Sequence, residues 1–264
     1  MDSHVITAGD IEVTVAPADG GRIGQITVGG TDLLVGRSDE HREVIAWGAY
    51  PMVPWAGRIR HGRFEFEGTT HQLPRNHGDH AMHGVGLHVA WDVTERRADR
   101  IRLVLDLPTD ERWPFGGRVE QTFTVTSSGV DLHMSVAATD TAFPVSMGWH
   151  PWFRKPDRVD VAPESMYRRD EEGIAVDELV DVPDHPWDDC FIVRTPIGAV
   201  IDGLRLELGA TTDHWVIYDE QRHATCIEPQ TGPPDAFTIA PRIVDPGESI
   251  ELSFRIEIVE RPSR

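Results

Sequence analysis

The sequence feature that most constrains the fold is a recurring alternation of apolar and polar residues, because a period of two is typical of β-strands. The tripeptide Ser127-Ser128-Gly129 separates two of these runs, and two alternating runs around such a turn predict a β-hairpin. Alternation also predicts that each strand buries one face and exposes the other. The alternating runs are 101–107, 119–125, 130–136, 204–208 and 250–258.

The rest of the chain fits many short strands better than helices. Glycine and proline occur along the whole length and separate strand-sized segments. Only residues 163–169 suggest a turn or two of helix. No linker, low-complexity run or repeat interrupts the pattern. The sequence therefore predicts an all-β protein, a large antiparallel β-sandwich, with residues 1–264 forming a single domain.

Charge and terminal sequence restrict the partners. A formal net charge of -19 argues against nucleic acid and against anionic membranes, which bind clustered basic residues. Neutral polyols stay compatible with an acidic surface. Residues 1–5 lack the basic and apolar regions of a signal peptide, and no apolar run approaches the ~18–20 residues that span a bilayer. We expect a cytoplasmic protein without a membrane partner; the sequence does not predict its oligomeric state.

Four segments carry polar and aromatic residues that are unusual in a core strand. In the second of them four histidines lie close together, but none forms the HxH or HExxH spacing of a metal site. The two cysteines, Cys190 and Cys226, also lack such spacing, and two buried free thiols are the expectation. We therefore predict neither a metal nor another cofactor. The four segments are 54–64, 77–91, 148–153 and 226–234.

The third and fourth segments combine sugar-binding and acid–base residue types. His150 lies between Trp149 and Trp152, and tryptophan faces stack on the C–H face of a pyranose while polar groups bind its hydroxyls. Core burial is an equally good explanation for one of the two tryptophans. Glu228 precedes prolines and a glycine that end a predicted strand. A carboxylate at the start of such a loop is a candidate base.

Taken in order along the chain, six motifs resemble those of the aldose 1-epimerases, also called galactose mutarotases. Together they span nearly the whole chain, although each motif alone is weak. The motifs are Gly20-Gly21-Arg22-Ile23 with Thr31-Asp32-Leu33-Leu34, Arg58-Ile59 with Gly62-Arg63-Phe64, Met82-His83-Gly84, Gly148-Trp149-His150-Pro151-Trp152-Phe153, Trp187-Asp188-Asp189-Cys190-Phe191 and Ile227-Glu228-Pro229-Gln230-Thr231.

The resemblance implies a galactose mutarotase-like supersandwich with a sugar cleft across one sheet, and it implies residue roles. His150 resembles the general acid that protonates the ring oxygen, and Glu228 the general base that takes the proton of the anomeric hydroxyl. His83 resembles a second active-site histidine, while Arg58 and Asp188 resemble groups that hold sugar hydroxyls. Such a site interconverts the α and β anomers of a free aldose, such as glucose or galactose, without a cofactor.

Three alternatives stay open from the sequence. A hexose-6-phosphate 1-epimerase of the same superfamily would need several arginines at the cleft, and the chain offers four candidates. A non-catalytic carbohydrate-binding module would not need an acid–base pair. A metal-dependent isomerase or cupin is the least supported. The candidate phosphate ligands are Arg58, Arg60, Arg63 and Arg75.

Overall fold

The computed structural model describes residues 3–37 and 43–261 of the 264-residue chain. They form short antiparallel strands, one four-residue α-helix, α1 (Ala236–Ile239), and three short 3₁₀ turns at Pro17–Asp19, Arg60–Gly62 and Gly86–His88. No helix in these two ranges has the length and apolar character needed to cross a membrane.

The strands follow one another along the chain with short connections. They are β1 (His4–Ala8), β2 (Ile11–Ala16), β3 (Arg22–Val28), β4 (Thr31–Asp32), β5 (Ala49–Met52), β6 (Arg58–Ile59), β7 (Arg63–Phe66), β8 (Thr69–Gln72), β9 (Ala81–Met82), β10 (Asp92–Arg96), β11 (Arg100–Asp106), β12 (Arg118–Thr126), β13 (Gly129–Ala137), β14 (Phe143–Pro144), β15 (Gly148–Arg154), β16 (Arg158–Asp160), β17 (Ser165–Arg169), β18 (Ala175–Val180), β19 (Asp188–Ile192), β20 (Ile197–Ile201), β21 (Leu204–Ala210), β22 (His214–Tyr218), β23 (Ala224–Gln230), β24 (Ile243–Val244) and β25 (Ser249–Glu260).

Two large sheets dominate the architecture. The eleven-stranded sheet runs in the order β1-β2-β3-β5-β15-β23-β22-β19-β17-β18, with β4 paired to β3. The eight-stranded sheet runs β10-β11-β12-β13-β25-β21-β20-β16. Three small two-stranded sheets, β6-β9, β7-β8 and β14-β24, complete the connections. The prediction of an all-β, large antiparallel sandwich is therefore confirmed.

The predicted hairpin is present at the centre of the eight-stranded sheet. Strands β12 and β13 pair antiparallel from Arg118 with Ala137 to Thr126 with Gly129, so the turn falls at Ser127 and Ser128. The other alternating runs became β11, β21 and β25. The prediction of helix near residues 163–169 is wrong, because residues 165–169 form β17 and pair with both β18 and β19. The pairing of β17 with a strand on each side outweighs the weak helical preference of this segment.

The core lies between the two sheets, and alternation along β15 determines what faces it. Trp149 and Phe153 are fully buried in the inter-sheet core, where the Trp149 ring lies 6.3 Å from that of Phe254 on β25. Trp152, by contrast, belongs to a separate apolar cluster with Tyr50 on the outer face of the eleven-stranded sheet. Side chains of alternate residues thus point away from the core, and residues 150 and 152 of β15 share that outer face.

Candidate functional site

Three neighbouring strands in the middle of the eleven-stranded sheet bring the predicted acid–base residues together. On one side β15 pairs with β5, which sets His150 opposite Tyr50. On the other side it pairs with β23, where Gly148 opposes Gln230 and Trp152 opposes Cys226. Positions 150 and 228 lie between these two register pairs, so antiparallel pairing places the two side chains next to each other on the outer face.

His150 and Glu228 form a buried pair in close contact. The His150 Nε2 atom lies 3.1 Å from Glu228 Oε1, and the two residues are only 6% and 2% exposed. The second carboxyl oxygen of Glu228 accepts a hydrogen bond of 3.1 Å from the side-chain amide of Gln230. Both carboxyl oxygens are thereby fixed, and one proton is needed between Nε2 and Oε1 for that contact to be a hydrogen bond.

Burial opposes charge on both members of the pair. Burial raises the pKa of the Glu228 carboxyl well above its usual range, and the nearby Asp188 carboxylate adds to this increase, while Gln230 and Arg58 oppose it. Burial also lowers the pKa of the His150 imidazole from 6.5 to about 3. Each shift favours a neutral side chain, so burial disfavours separate charges on the carboxylate and the imidazolium of this pair.

Aromatic rings pack against the His150 imidazole and fix its orientation. The Tyr50 ring stacks on it with centroids 4.7 Å apart and planes 24° from parallel. The Trp152 ring also stacks on it, with centroids 5.4 Å apart and planes 16° from parallel. Behind Tyr50, the buried guanidinium of Arg22 sits 5.2 Å from the tyrosine ring and 4.2 Å from that of Trp47. The imidazole therefore has little freedom to rotate away from Glu228.

His83 approaches the pair from a strained loop. Its ring meets that of His150 edge to face, with centroids 5.2 Å apart, and burial lowers the pKa of His83 well below 6.5. His83 has a φ of 61°, a left-handed conformation that non-glycine residues rarely adopt. The next residue must be glycine, because a Cβ on Gly84 would lie 2.0 Å from the Val53 carbonyl oxygen. Within the described ranges, His83 Nδ1 has no hydrogen-bond partner.

A cleft with a volume of about 290 Å³ opens above the pair. This is near the lower end of the range for small-molecule sites, which suits a ligand of monosaccharide size. The cleft combines aromatic, cationic and anionic side chains. Of the seven site residues predicted from the sequence, six line it: Arg58, His83, His150, Trp152, Asp188 and Glu228.

Asp188, at one wall of the cleft, is held by an arginine that the sequence analysis did not identify. Arg169 donates from Nη1 to Asp188 Oδ2 over 2.8 Å, and its Nε lies 2.9 Å from Asp189 Oδ1. Burial raises the pKa of Asp188, whereas the Arg169 and Arg58 guanidinium groups counter that increase. Arg58 itself is only half-buried and donates to the Gly173 carbonyl oxygen at 3.3 Å, which leaves other donors of its guanidinium for a ligand.

The expectation that Trp149 contacts a ligand is corrected by the structure. Trp149 is 0% exposed and faces the inter-sheet core, where its Nε1 donates to Gln121 Oε1 over 3.1 Å. Residues 149 and 152 differ by an odd number of positions, so in one extended strand their side chains point to opposite faces. Trp152 alone of the two tryptophans lines the cleft.

The other candidate arginines and histidines do not converge on the cleft. His77 reaches its mouth, whereas His88 is exposed elsewhere, and the His80 Nδ1 atom accepts the His61 backbone N–H at 3.2 Å. Three of the four arginines considered for a phosphate are not among the cleft-lining residues and pair with surface carboxylates instead. These pairs join Arg60 to Asp170 and Glu172, Arg63 to Glu65, and Arg75 to Asp79.

Three cleft residues that contact His150, Glu228 or Asp188 were missed by the sequence analysis. Gln230 could have been found, because it lies two residues after Glu228 and an extended strand places both on one face. Arg169 could not, because its segment was assigned to a turn of helix. Tyr50 reaches His150 only through the pairing of β5 with β15, which links residues about a hundred positions apart and has no local sequence signal.

Comparison with known proteins places the chain in a family. The family model for aldose 1-epimerase matches residues 2–257, so the chain belongs to the aldose 1-epimerase family. Among curated proteins, it is 25% identical over 151 residues to the uncharacterized protein YihR of Escherichia coli, covering 56% of this chain and 48% of YihR. It is 30% identical over 107 residues to the uncharacterized protein YphB of the same organism, covering 39% of this chain and 36% of YphB. The matches thus span about half and about a third of those relatives.

Solved structures with similar folds agree with this placement. A galactose mutarotase-like protein from Clostridium acetobutylicum superposes with a TM-score of 0.85 and 17% identity, over 97% of this chain and 95% of that one. A galactose 1-epimerase from Lactobacillus acidophilus superposes with a TM-score of 0.79 and 17% identity, over 95% and 92%. At such identity the likeness establishes the fold.

Because Trp149 belongs to the core, its replacement should affect stability. Trp149→Phe keeps most of the ring but leaves Gln121 Oε1 buried without its donor, which we expect to lower the free energy of unfolding by about 1–3 kcal/mol. Urea denaturation measures this. The double-mutant cycle with Gln121→Met should show that the two effects are not additive. Strictly additive effects would mean that this hydrogen bond does not contribute to stability.

Proposed function

We propose that this protein is an aldose 1-epimerase, a mutarotase that interconverts the α and β anomers of a free aldose such as glucose or galactose. The single observation that carries the proposal is the 3.1 Å contact between Glu228 Oε1 and His150 Nε2 in a cleft of monosaccharide size. Membership of the aldose 1-epimerase family supports it independently.

Mutarotation requires two proton transfers, and a carboxyl group next to an imidazole can perform both. The hydroxyl on the anomeric carbon loses a proton while the ring oxygen gains one, so that the ring opens to the free aldehyde. Both oxygens are bonded to the same carbon, and the two working atoms of the pair are 3.1 Å apart and can face both at once. Glu228 takes the hydroxyl proton and His150 donates to the ring oxygen.

The pair needs one proton, and only its position changes during the reaction. Ring opening converts carboxylate and imidazolium into carboxylic acid and neutral imidazole. Rotation about the bond between the first two carbons and reclosure then reverse both transfers and give the other anomer. Burial favours the carboxylic acid and the neutral imidazole, which is the state of the pair while the sugar is an open aldehyde. No electrons move and no carbon acid is deprotonated, so this chemistry calls for no cofactor.

Other cleft residues would bind and orient the sugar. Trp152 offers an apolar surface for the ring, whereas Arg58 and Asp188 offer a donor and an acceptor for hydroxyl groups. His83 would contribute its Nδ1 atom, which is buried without a hydrogen-bond partner among the described residues. A sugar hydroxyl bound there would remove the energetic cost of that unsatisfied atom. Together these contacts would hold the anomeric centre against the pair, and such positioning makes weak acids and bases effective.

The same observations distinguish this proposal from its rivals. A phosphorylated hexose would need unpaired cations, but three of the four candidate arginines pair with surface carboxylates and Arg169 pairs with two aspartates. A binding module would have no use for a buried acid–base pair. We therefore favour a free, neutral aldose as the substrate and an enzyme over a carbohydrate-binding module.

The most direct test replaces the carboxyl group of the proposed base. Glu228→Gln keeps the size of the side chain but cannot take up a proton, so we expect the anomerisation rate to fall about 10²–10⁴-fold while sugar binding persists. Polarimetry on freshly dissolved α-glucose, α-galactose and glucose 6-phosphate gives the rates, and calorimetry gives the binding. Glu207→Gln, an exposed site on the eight-stranded sheet, controls for charge loss. An undiminished rate in Glu228→Gln would remove this residue from the mechanism.

The pH dependence follows from the direction of the two shifts. The active pair holds one proton, so activity is lost on the acid side when the lowered pKa of His150 is crossed and on the alkaline side when the raised pKa of Glu228 is crossed. We expect no inflection near 6.5, because the pKa of His150 is lowered to about 3. Rates in overlapping buffers, with circular dichroism to confirm folding, measure this. A half-maximal rate at the pH of an ordinary histidine would contradict the scheme.

Arg169 provides a third test, with its chain neighbour as a control. Arg169→Gln removes the cation that positions Asp188, so we expect KM for the sugar to rise about tenfold, as for loss of a charge-assisted contact, with a smaller change in kcat. Arg168→Gln removes an arginine that pairs with Glu178 at the surface, and it should leave both constants unchanged. Equal effects of the two substitutions would exclude a positioning role for Arg169.

A further inference from the structure

Cys226 is a buried thiol that the proposed mechanism does not use. It lies on β23 two residues before Glu228, opposite Trp152 of β15, and it is 0% exposed. Alternation along the strand places it on the same outer face as Glu228. The structure has both cysteines of the chain as free, buried thiols, as the sequence predicted.

Cys226 completes a triangle of metal-binding atoms with the acid–base pair. A ring nitrogen of His150, the Sγ of Cys226 and a carboxyl oxygen of Glu228 all lie within 4.8 Å of one another, and all three residues are buried. Among the described residues, no other group of three or more histidine, cysteine or acidic side chains gathers in this way. The histidines of residues 77–88, which the sequence brought forward as a possible metal cluster, are not part of it.

The donor set and its spacing match the requirements of Zn²⁺. Zinc takes cysteine sulfur, histidine nitrogen and carboxylate oxygen as ligands, at about 2.0–2.3 Å in tetrahedral geometry. Tetrahedral ligands at those distances are separated by roughly 3.3–3.7 Å. The nitrogen and oxygen of the pair are already 3.1 Å apart, and the sulfur lies within 4.8 Å of both, so it needs to approach by at most about 1 Å to close the triangle. The cleft above the pair leaves a fourth position for water or a sugar hydroxyl.

We propose that the His150–Cys226–Glu228 triangle is an inhibitory binding site for Zn²⁺ or a similar soft divalent cation. The inhibitory part rests on the proposed function, because the ion would occupy the lone pairs of Nε2 and Oε1 that mutarotation uses. The ion is an occupant of the empty site and not a cofactor of the reaction. Mg²⁺ should not bind, since it requires oxygen ligands in octahedral geometry.

Cys190 supplies a matched control for Cys226. It is the other buried thiol of the chain, it lies on β19, and it lines the same cleft. Its sulfur is not part of the triangle. A zinc ion that simply sought any thiol near the cleft would therefore be sensitive to Cys190, whereas an ion in the triangle is sensitive to Cys226.

The experiment measures zinc binding and anomerisation separately on the untagged, metal-free protein. Calorimetric titration with ZnCl₂ should give one ion per chain, and MgCl₂ should give no binding. We expect Cys226→Ala and Cys226→Ser to weaken zinc affinity at least about tenfold, and Cys190→Ala to change it less than about threefold. Circular dichroism establishes that each variant is folded. The anomerisation rate of each variant is then compared with and without zinc, and zinc should inhibit the wild type at concentrations near its Kd.

The two measurements separate failure of the zinc site from failure of the proposed function. If zinc does not bind the wild type, or binds folded Cys226 variants as tightly, the site is overturned. The second result is expected if histidines outside the triangle, such as His61 and His80, hold the ion. Full activity of the zinc-bound wild type overturns the inhibitory role. Zinc binding that depends on Cys226, in a protein that anomerises no sugar, supports the site and overturns the proposed mutarotase function.

Discussion

The interaction on which the rest of the site depends is the antiparallel pairing of β15 with its two neighbours. That pairing sets His150 between Tyr50 and Glu228 and fixes all three on the outer face of the eleven-stranded sheet. A shift of one residue in the register would turn His150 into the inter-sheet core and bring Trp149 to the surface. The packing of Trp149 and Phe153 against the second sheet therefore stabilises the arrangement of the His150–Glu228 pair, although neither residue touches the cleft.

Burial gives this pair its chemical character. An exposed glutamate and histidine would both be charged or half-charged near neutrality and would exchange protons with water. Here the aromatic rings of Tyr50 and Trp152 cover the imidazole, and the sheet covers the carboxyl group, so burial lowers the pKa of His150 and raises that of Glu228. The result is a pair in which burial disfavours a separate charge on either group. The thiol of Cys226 lies beside this pair in the same buried environment.

Local patterns in the sequence were enough to predict the all-β architecture, the β12–β13 hairpin and the strands β11, β21 and β25, because a period of two needs no knowledge of distant residues. The meeting of residues 150 and 228 is different. It depends on pairing across nearly eighty positions, and only the resemblance to a family indicated it. Trp149 was an avoidable error, since its position relative to Trp152 already required opposite faces. Arg169 was missed because its strand forms through pairing on both sides.

The charges around the cleft bear on which sugar it accepts. Arg169 interacts with both Asp188 and Asp189, so its single positive charge is shared by two carboxylates and that wall keeps a net negative charge. Arg58 is the remaining cation among the predicted ligands, and a lone guanidinium half-exposed to water is a weak attraction for a doubly charged phosphate. Hydroxyl groups need no such counter-charge, because each can donate to Asp188 and accept from Arg58. The balance of charge therefore favours a neutral aldose.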